Sequence, residues 1–79
     1  MINAGQMRAA RALLGWSQAV LSEESGISLP TIKRMETTGT GKSSGDTIQK
    51  AQRALEAGGI AFIAQNGGGP GVRLAKPVD

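Results

Sequence analysis

Residues 11–39 read "RALLGWSQAVLSEESGISLPTIKRMETTG", and the punctuation inside this stretch decides the fold. Gly15 follows the run "GQMRAARALL" (5–14), which is rich in strong helix formers, and stands where a helix C-cap belongs. Ser17 offers an N-cap for "QAVLSEES". The third helical position is Val20, so no reciprocal Glu completes a capping box there. Gly26 ends this second helix after two turns. Ser28 then caps a third, "LPTIKRMET", and Pro30 is tolerated in its first turn because the missing N–H has no helical partner there.

Outward from that stretch the period stays helical. Met7, Ala10 and Leu14 follow i, i+3, i+7 spacing and are expected to face a core, with Arg8 and Arg11 about a turn apart. Ile32 and Met35 are the apolar positions of the third helix. Ser44 or Asp46 opens a fourth, "TIQKAQRALEA", with Ile48, Ala51 and Leu55 as its core stripe and Gly58-Gly59 as its stop. Then the pattern changes. "IAFIA" (60–64) has the bias of a strand, "QNGGGPG" (65–71) reads as a turn, and "VRLA" (72–75) as a returning strand. The closing "KPVD" is expected to fray. The fold class is therefore mainly α: four helices over residues 1–59, then a C-terminal β-hairpin and tail over 60–79.

Composition narrows the chemistry. The chain has 79 residues, enough for one domain with a modest core. It contains neither cysteine nor histidine, which removes disulfides, thiolate metal sites and the commonest general base. Six acidic residues show no convergence, so no enzyme, metal or cofactor is expected. The N-terminal "MINAGQMRAA" lacks a long apolar run, which argues against a signal peptide or membrane span and favours the cytoplasm. The formal charge of +3 is mild, but Lys33, Arg34 and Lys42 fall close together. The segment "GTGKSS" (39–44) has the ingredients of a nucleotide-binding P-loop. It fails that spacing, because Glu36 stands where the first glycine is required.

Two short helices joined through "SGIS" form a helix-turn-helix pattern, although small helical bundles often contain such corners. The residues go further. Arg11 to Glu36 resembles the Cro/CI-type (XRE) helix-turn-helix domain, whose signature runs roughly R-x-x-L-G-h-S-Q-x-x-L-A-x-x-x-G-h-S-x-x-T-I-x-x-h-E-x-G. Ser22 stands where Ala is usual, Val20 where Glu is common, and the closing glycine, Gly39, comes late. The resemblance implies a phage-repressor-like fold and a DNA-binding transcriptional regulator, acting on double-stranded DNA. It implies that Leu29, Pro30, Thr31 and Arg34 face the major groove. Arg34 would pair with guanine O6 and N7, while Leu29 and Pro30 offer only apolar contact, so specificity would lean on Arg34 and DNA shape. Gln18 would meet a phosphate at the start of the second helix. Lys33 is either a phosphate contact or a solvated charge, and Arg8 is open in the same way. Thr38, Gly41, Lys42, Ser43 and Ser44 would line the DNA backbone, so the phosphate of the "GTGKSS" loop would be the DNA's. Arg11 and Glu36 correspond to a structural ion pair tying the first helix to the end of the third.

The hairpin carries no motif that transfers. Ile60, Phe62, Ile63, Val72 and Leu74 are many apolar residues for a free hairpin, which is marginal in water. They are expected to pack partly on the helices and partly against a second copy, giving a homodimer on an inverted-repeat operator, as a repressor would use. A different reading keeps the fold but sequesters a partner protein, as an antitoxin or anti-activator does; the apolar Leu29-Pro30 pair keeps that reading open.

Overall fold

Asn3 starts the first helix. Its Oδ1 accepts the Gln6 amide at 2.8 Å, and the Gln6 side-chain oxygen accepts the Asn3 amide at 2.9 Å. This reciprocal capping box satisfies two of the N–H groups that a helix start leaves unpaired. From it α1 runs Ala4–Leu14, one residue earlier than expected, and Gly15 closes it in the left-handed conformation. The structure, a computed structural model, describes residues 1–65 and 67–75. The expectation of a frayed "KPVD" and the Asn66 position of the 65–71 turn lie outside the described residues.

The other helices begin at the expected serines. Ser17 accepts from Val20 N at the head of α2 (Gln18–Ser25), and Ser28 from Thr31 N at the head of α3 (Leu29–Thr38). Ser44 does the same for α4 (Gly45–Ala57), which settles the choice between Ser44 and Asp46. Strands β1 (Ile60–Ile63) and β2 (Gly71–Leu74) follow.

The expected apolar stripes converge on one core. Met7, Ala10, Ile32, Met35, Ala51 and Leu55 are fully buried, with Ile48 nearly so. Leu14 is half-buried at the edge beside Trp16. Two core residues carried no periodic signal: Ile2, which lies before α1, and Ile27, in the turn between α2 and α3. α2 packs on α3 and α4, and α1 crosses α3.

The hairpin belongs to this core. Its antiparallel register pairs Ile60 with Leu74, Ala61 with Arg73, Phe62 with Val72 and Ile63 with Gly71. Alternation puts Ile60, Phe62, Val72 and Leu74 on one face, and all four pack on the helices, Ile60 at 2% exposure. The outer face consists of Ala61, Ile63, Gly71 and Arg73, and only Ile63, 40% exposed, is large and apolar. Of the five apolar residues expected to divide between the helices and a second copy, Ile60, Phe62, Val72 and Leu74 pack on the helices and Ile63 is left on the outer face. Gln6, buried, fastens the turn end, with Nε2 donating to Gly71 O at 3.1 Å and to Ile63 O at 3.4 Å. Ala75 N donates to Gly59 O at 2.7 Å. Since antiparallel bonds alternate along a ladder, the main-chain groups of Ile60, Phe62, Val72 and Leu74 point to the two sheet edges.

Candidate nucleic-acid interface

α3 buries Ile32, Met35 and Glu36 and leaves Pro30, Lys33, Arg34 and Thr37 exposed. At 3.6 residues per turn those four residues share the side opposite the core. Among the residues expected to face a groove, Pro30 and Arg34 occupy this outward side. Leu29 and Thr31 are half-buried on its flanks. Ser28 Oγ donates to Thr31 Oγ1 at 2.8 Å, leaving the Thr31 hydrogen free. Thr37 escaped the sequence reading, yet its place was legible: it lies three residues after Arg34 and seven after Pro30. Thr38 differs. Its hydroxyl donates to Arg34 O at 2.8 Å, so its single hydrogen is engaged by its own helix and unavailable to an anion.

Glu36 holds this helix in place. Its carboxylate, on a residue only 4% exposed, accepts Arg11 Nε and Nη2, both at 2.7 Å. Gln18 Nε2 donates to the same carboxylate at 3.1 Å, and Arg8 Nη1 donates to the Glu36 main-chain oxygen. Arg11 also reaches Trp16 O at 3.0 Å. The hydrogen bond to Glu36 raises the Arg11 guanidinium above its ordinary value; desolvation opposes this and the Glu36 charge reinforces it. One carboxylate thus joins α1, α2 and α3, and the bidentate fork fixes its angle. Arg8, exposed, also caps a carbonyl in the last turn of α3, where a cation suits the helix dipole. Gln18 keeps one amide hydrogen for a phosphate, the other being engaged by Glu36.

The chain leaves α3 through Gly39, whose φ of 97° and ψ of 169° fall in a region that only glycine adopts freely. Ser43 N then donates to Thr40 O at 3.0 Å, closing a turn with Gly41 and Lys42 exposed at its tip. Ser44, also exposed, caps α4 through Thr47 N. Ser43 turns the other way. Its residue is half-buried, and its Oγ is inaccessible with no hydrogen-bond partner among the described residues. Of the loop residues expected to line a phosphate, Gly41, Lys42 and Ser44 therefore stand at the surface and the Ser43 hydroxyl does not.

Lys33 and Arg34 on α3 and Lys42 on the turn after it are all exposed, as are Glu23 and Glu24 near the C-terminus of α2. Among the described residues no cluster of acidic side chains is arranged to hold a metal ion, and no helix is long and apolar enough to cross a membrane.

The sequence model described as helix-turn-helix matches residues 7–58, which takes in most of α1, all of α2 to α4, and the turn ahead of the hairpin. No curated protein matches the chain.

Proposed function

The chain belongs to the Cro/CI-type helix-turn-helix family of DNA-binding regulators, and we propose that it is a cytoplasmic repressor that binds an inverted-repeat operator as a homodimer. The observation that carries this reading is the outward side of α3. It presents Arg34 between Pro30 and Thr37, on a helix clamped from behind by the buried Glu36 carboxylate. Arg34 supplies a bidentate donor for guanine. Pro30 and the flanking Leu29 offer apolar contact to a thymine methyl, and Thr31 and Thr37 bring hydroxyls. Lys33, Gln18, Lys42 and the exposed Gly41 and Ser44 take phosphates, which position the helix without reading sequence.

The dimensions support a second copy. The ten residues of α3 span about 15 Å, enough for roughly four base pairs. One chain therefore reads one half-site, and an operator with half-sites about 34 Å apart takes two. Because the hairpin's apolar face is occupied, the support for its pairing with a second copy comes from its two unpaired edges and the exposed Ile63. Repression then needs nothing beyond occupancy, since a dimer seated on a promoter excludes other proteins from it.

An electrophoretic shift with the DNA upstream of the protein's own gene, against a scrambled duplex, tests the reading. Tighter binding to the upstream DNA, with two protomers per site, is expected. Equal binding to both duplexes by a protein that sediments as a monomer would move the assignment to capture of a partner protein.

A further inference from the structure

Two segments far apart in sequence meet beneath the turn that follows α3. Ile2 is a core residue, 4% exposed, and its carbonyl oxygen accepts the Thr40 hydroxyl at 3.3 Å. Met1 reaches the head of α4, where its Cε lies 2.9 Å from the position a Cβ on Gly45 would take. The start of the chain thus touches the turn on both sides, at Thr40 before the tip and Gly45 behind it. It is not a loose tail, because the next residue, Asn3, is locked to α1 by the capping box with Gln6.

Thr40 is where two bonds converge. Its carbonyl accepts Ser43 N and shapes the turn, while its hydroxyl ties the turn to buried main chain. That hydroxyl hydrogen is engaged by Ile2, so the Thr40 side chain has no donor for a phosphate; whatever the hydroxyl contributes passes through the residues it holds. Those residues are Gly41 and Lys42, exposed at the tip. A glycine-rich turn without such a tie samples many conformations, and a lysine on it must be ordered when DNA binds. A tie made during folding removes that entropic penalty from the binding step.

We propose that Thr40 is a positioning residue for the DNA-backbone contact, with Ile2 as its anchor. The segment before α1, outside the matched residues 7–58, is then part of the DNA-binding apparatus. This rests on the reading in which Lys42 meets a phosphate.

The test is Thr40→Val, which keeps the side chain's volume and removes the hydroxyl. Operator affinity is measured over a salt series beside wild type, Lys42→Ala, Thr40→Ser and the Thr40→Val, Lys42→Ala double variant. Thr40→Val is expected to weaken binding and to lower the slope of log K against log salt by nearly one contact. Its deficit against wild type should then shrink about 3-fold between roughly 50 and 200 mM salt. Thr40→Ser should restore wild-type behaviour, and the double variant should bind no more weakly than Lys42→Ala alone. In the free protein, amide exchange at Ser43 should speed up in Thr40→Val, an effect independent of DNA. A wild-type slope in Thr40→Val beside a lowered slope in Lys42→Ala overturns the brace alone, as does simple additivity in the double variant. An unchanged slope in Lys42→Ala overturns the phosphate reading of the turn, and this proposal with it.

Discussion

Replacing Glu36 by Gln removes the charge at which three helices meet while preserving the side chain's size. The carboxylate takes two Arg11 donors at 2.7 Å and one from Gln18 at 3.1 Å, and the side-chain exposures of Arg11 and Glu36 are 19% and 3%. Breaking a buried pair by neutralising one member leaves the other charge uncompensated, which typically costs about 3–5 kcal/mol. Arg11 keeps some access to solvent and its bond to Trp16 O, so the lower end, about 3 kcal/mol, is the expected loss. A 79-residue domain is stable by about 4–12 kcal/mol in all, so the variant should sit near the edge of folding. At roughly 4–8 °C per kcal/mol its Tm should fall by about 12–24 °C. Urea unfolding followed by circular dichroism and by Trp16 fluorescence measures this, and Arg11→Met completes a double-mutant cycle. Because the Arg11 pKa is raised, its share of the stability is full below the ordinary arginine range and is lost only as pH rises beyond it. On that account, the wild-type-to-variant difference should be the same at about pH 7 and about pH 9. A loss under about 1 kcal/mol, with coupling inside the range of exposed pairs, would refute the clamp.

Arg34→Ala should lose about 1–3 kcal/mol of discrimination at one base pair per half-site, measured by competition between cognate and singly substituted duplexes. An equal loss on every sequence would make Arg34 a backbone contact. Gly39→Ala should destabilise by about 1–3 kcal/mol because of its left-handed φ of 97°. Gly41→Ala should unfold within about 0.5 kcal/mol of wild type, since a Cβ there meets nothing within 4 Å, yet weaken DNA binding if the tip approaches a phosphate. Matching unfolding curves for the two alanine variants would count against this distinction. Truncation after Gly59 should abolish cooperative unfolding, because it strips Ile60, Phe62, Val72 and Leu74 from the core; a stable helical remainder would show the hairpin to be separable after all.

What was legible beforehand is what the chain decides within about one helical turn. Ser17, Ser28 and Ser44 each satisfy an N–H three residues on, and Gly15 and Gly26 supply left-handed caps, so helix number and position followed from spacing alone. The matching family assignment over residues 7–58 rests on the same local pattern. The β-branched and aromatic bias around a glycine-rich turn likewise revealed a hairpin. It could not say which helices that hairpin would cover, and the face of Ile60, Phe62, Val72 and Leu74 lies on α1 and α4. The side chains whose tertiary contacts spacing did not reveal have partners distant in sequence. Gln18 and Arg8 reach Glu36 across 18 and 28 residues, and Thr40 reaches Ile2 across 38. Even the Arg11–Glu36 pair was anticipated by resemblance and not by spacing. Hydrogen-bond donors such as these have several possible acceptors until packing brings one within 3 Å or so, and only the crossing of α1 over α3 and the seating of the N-terminal strand of chain beneath the turn make that choice.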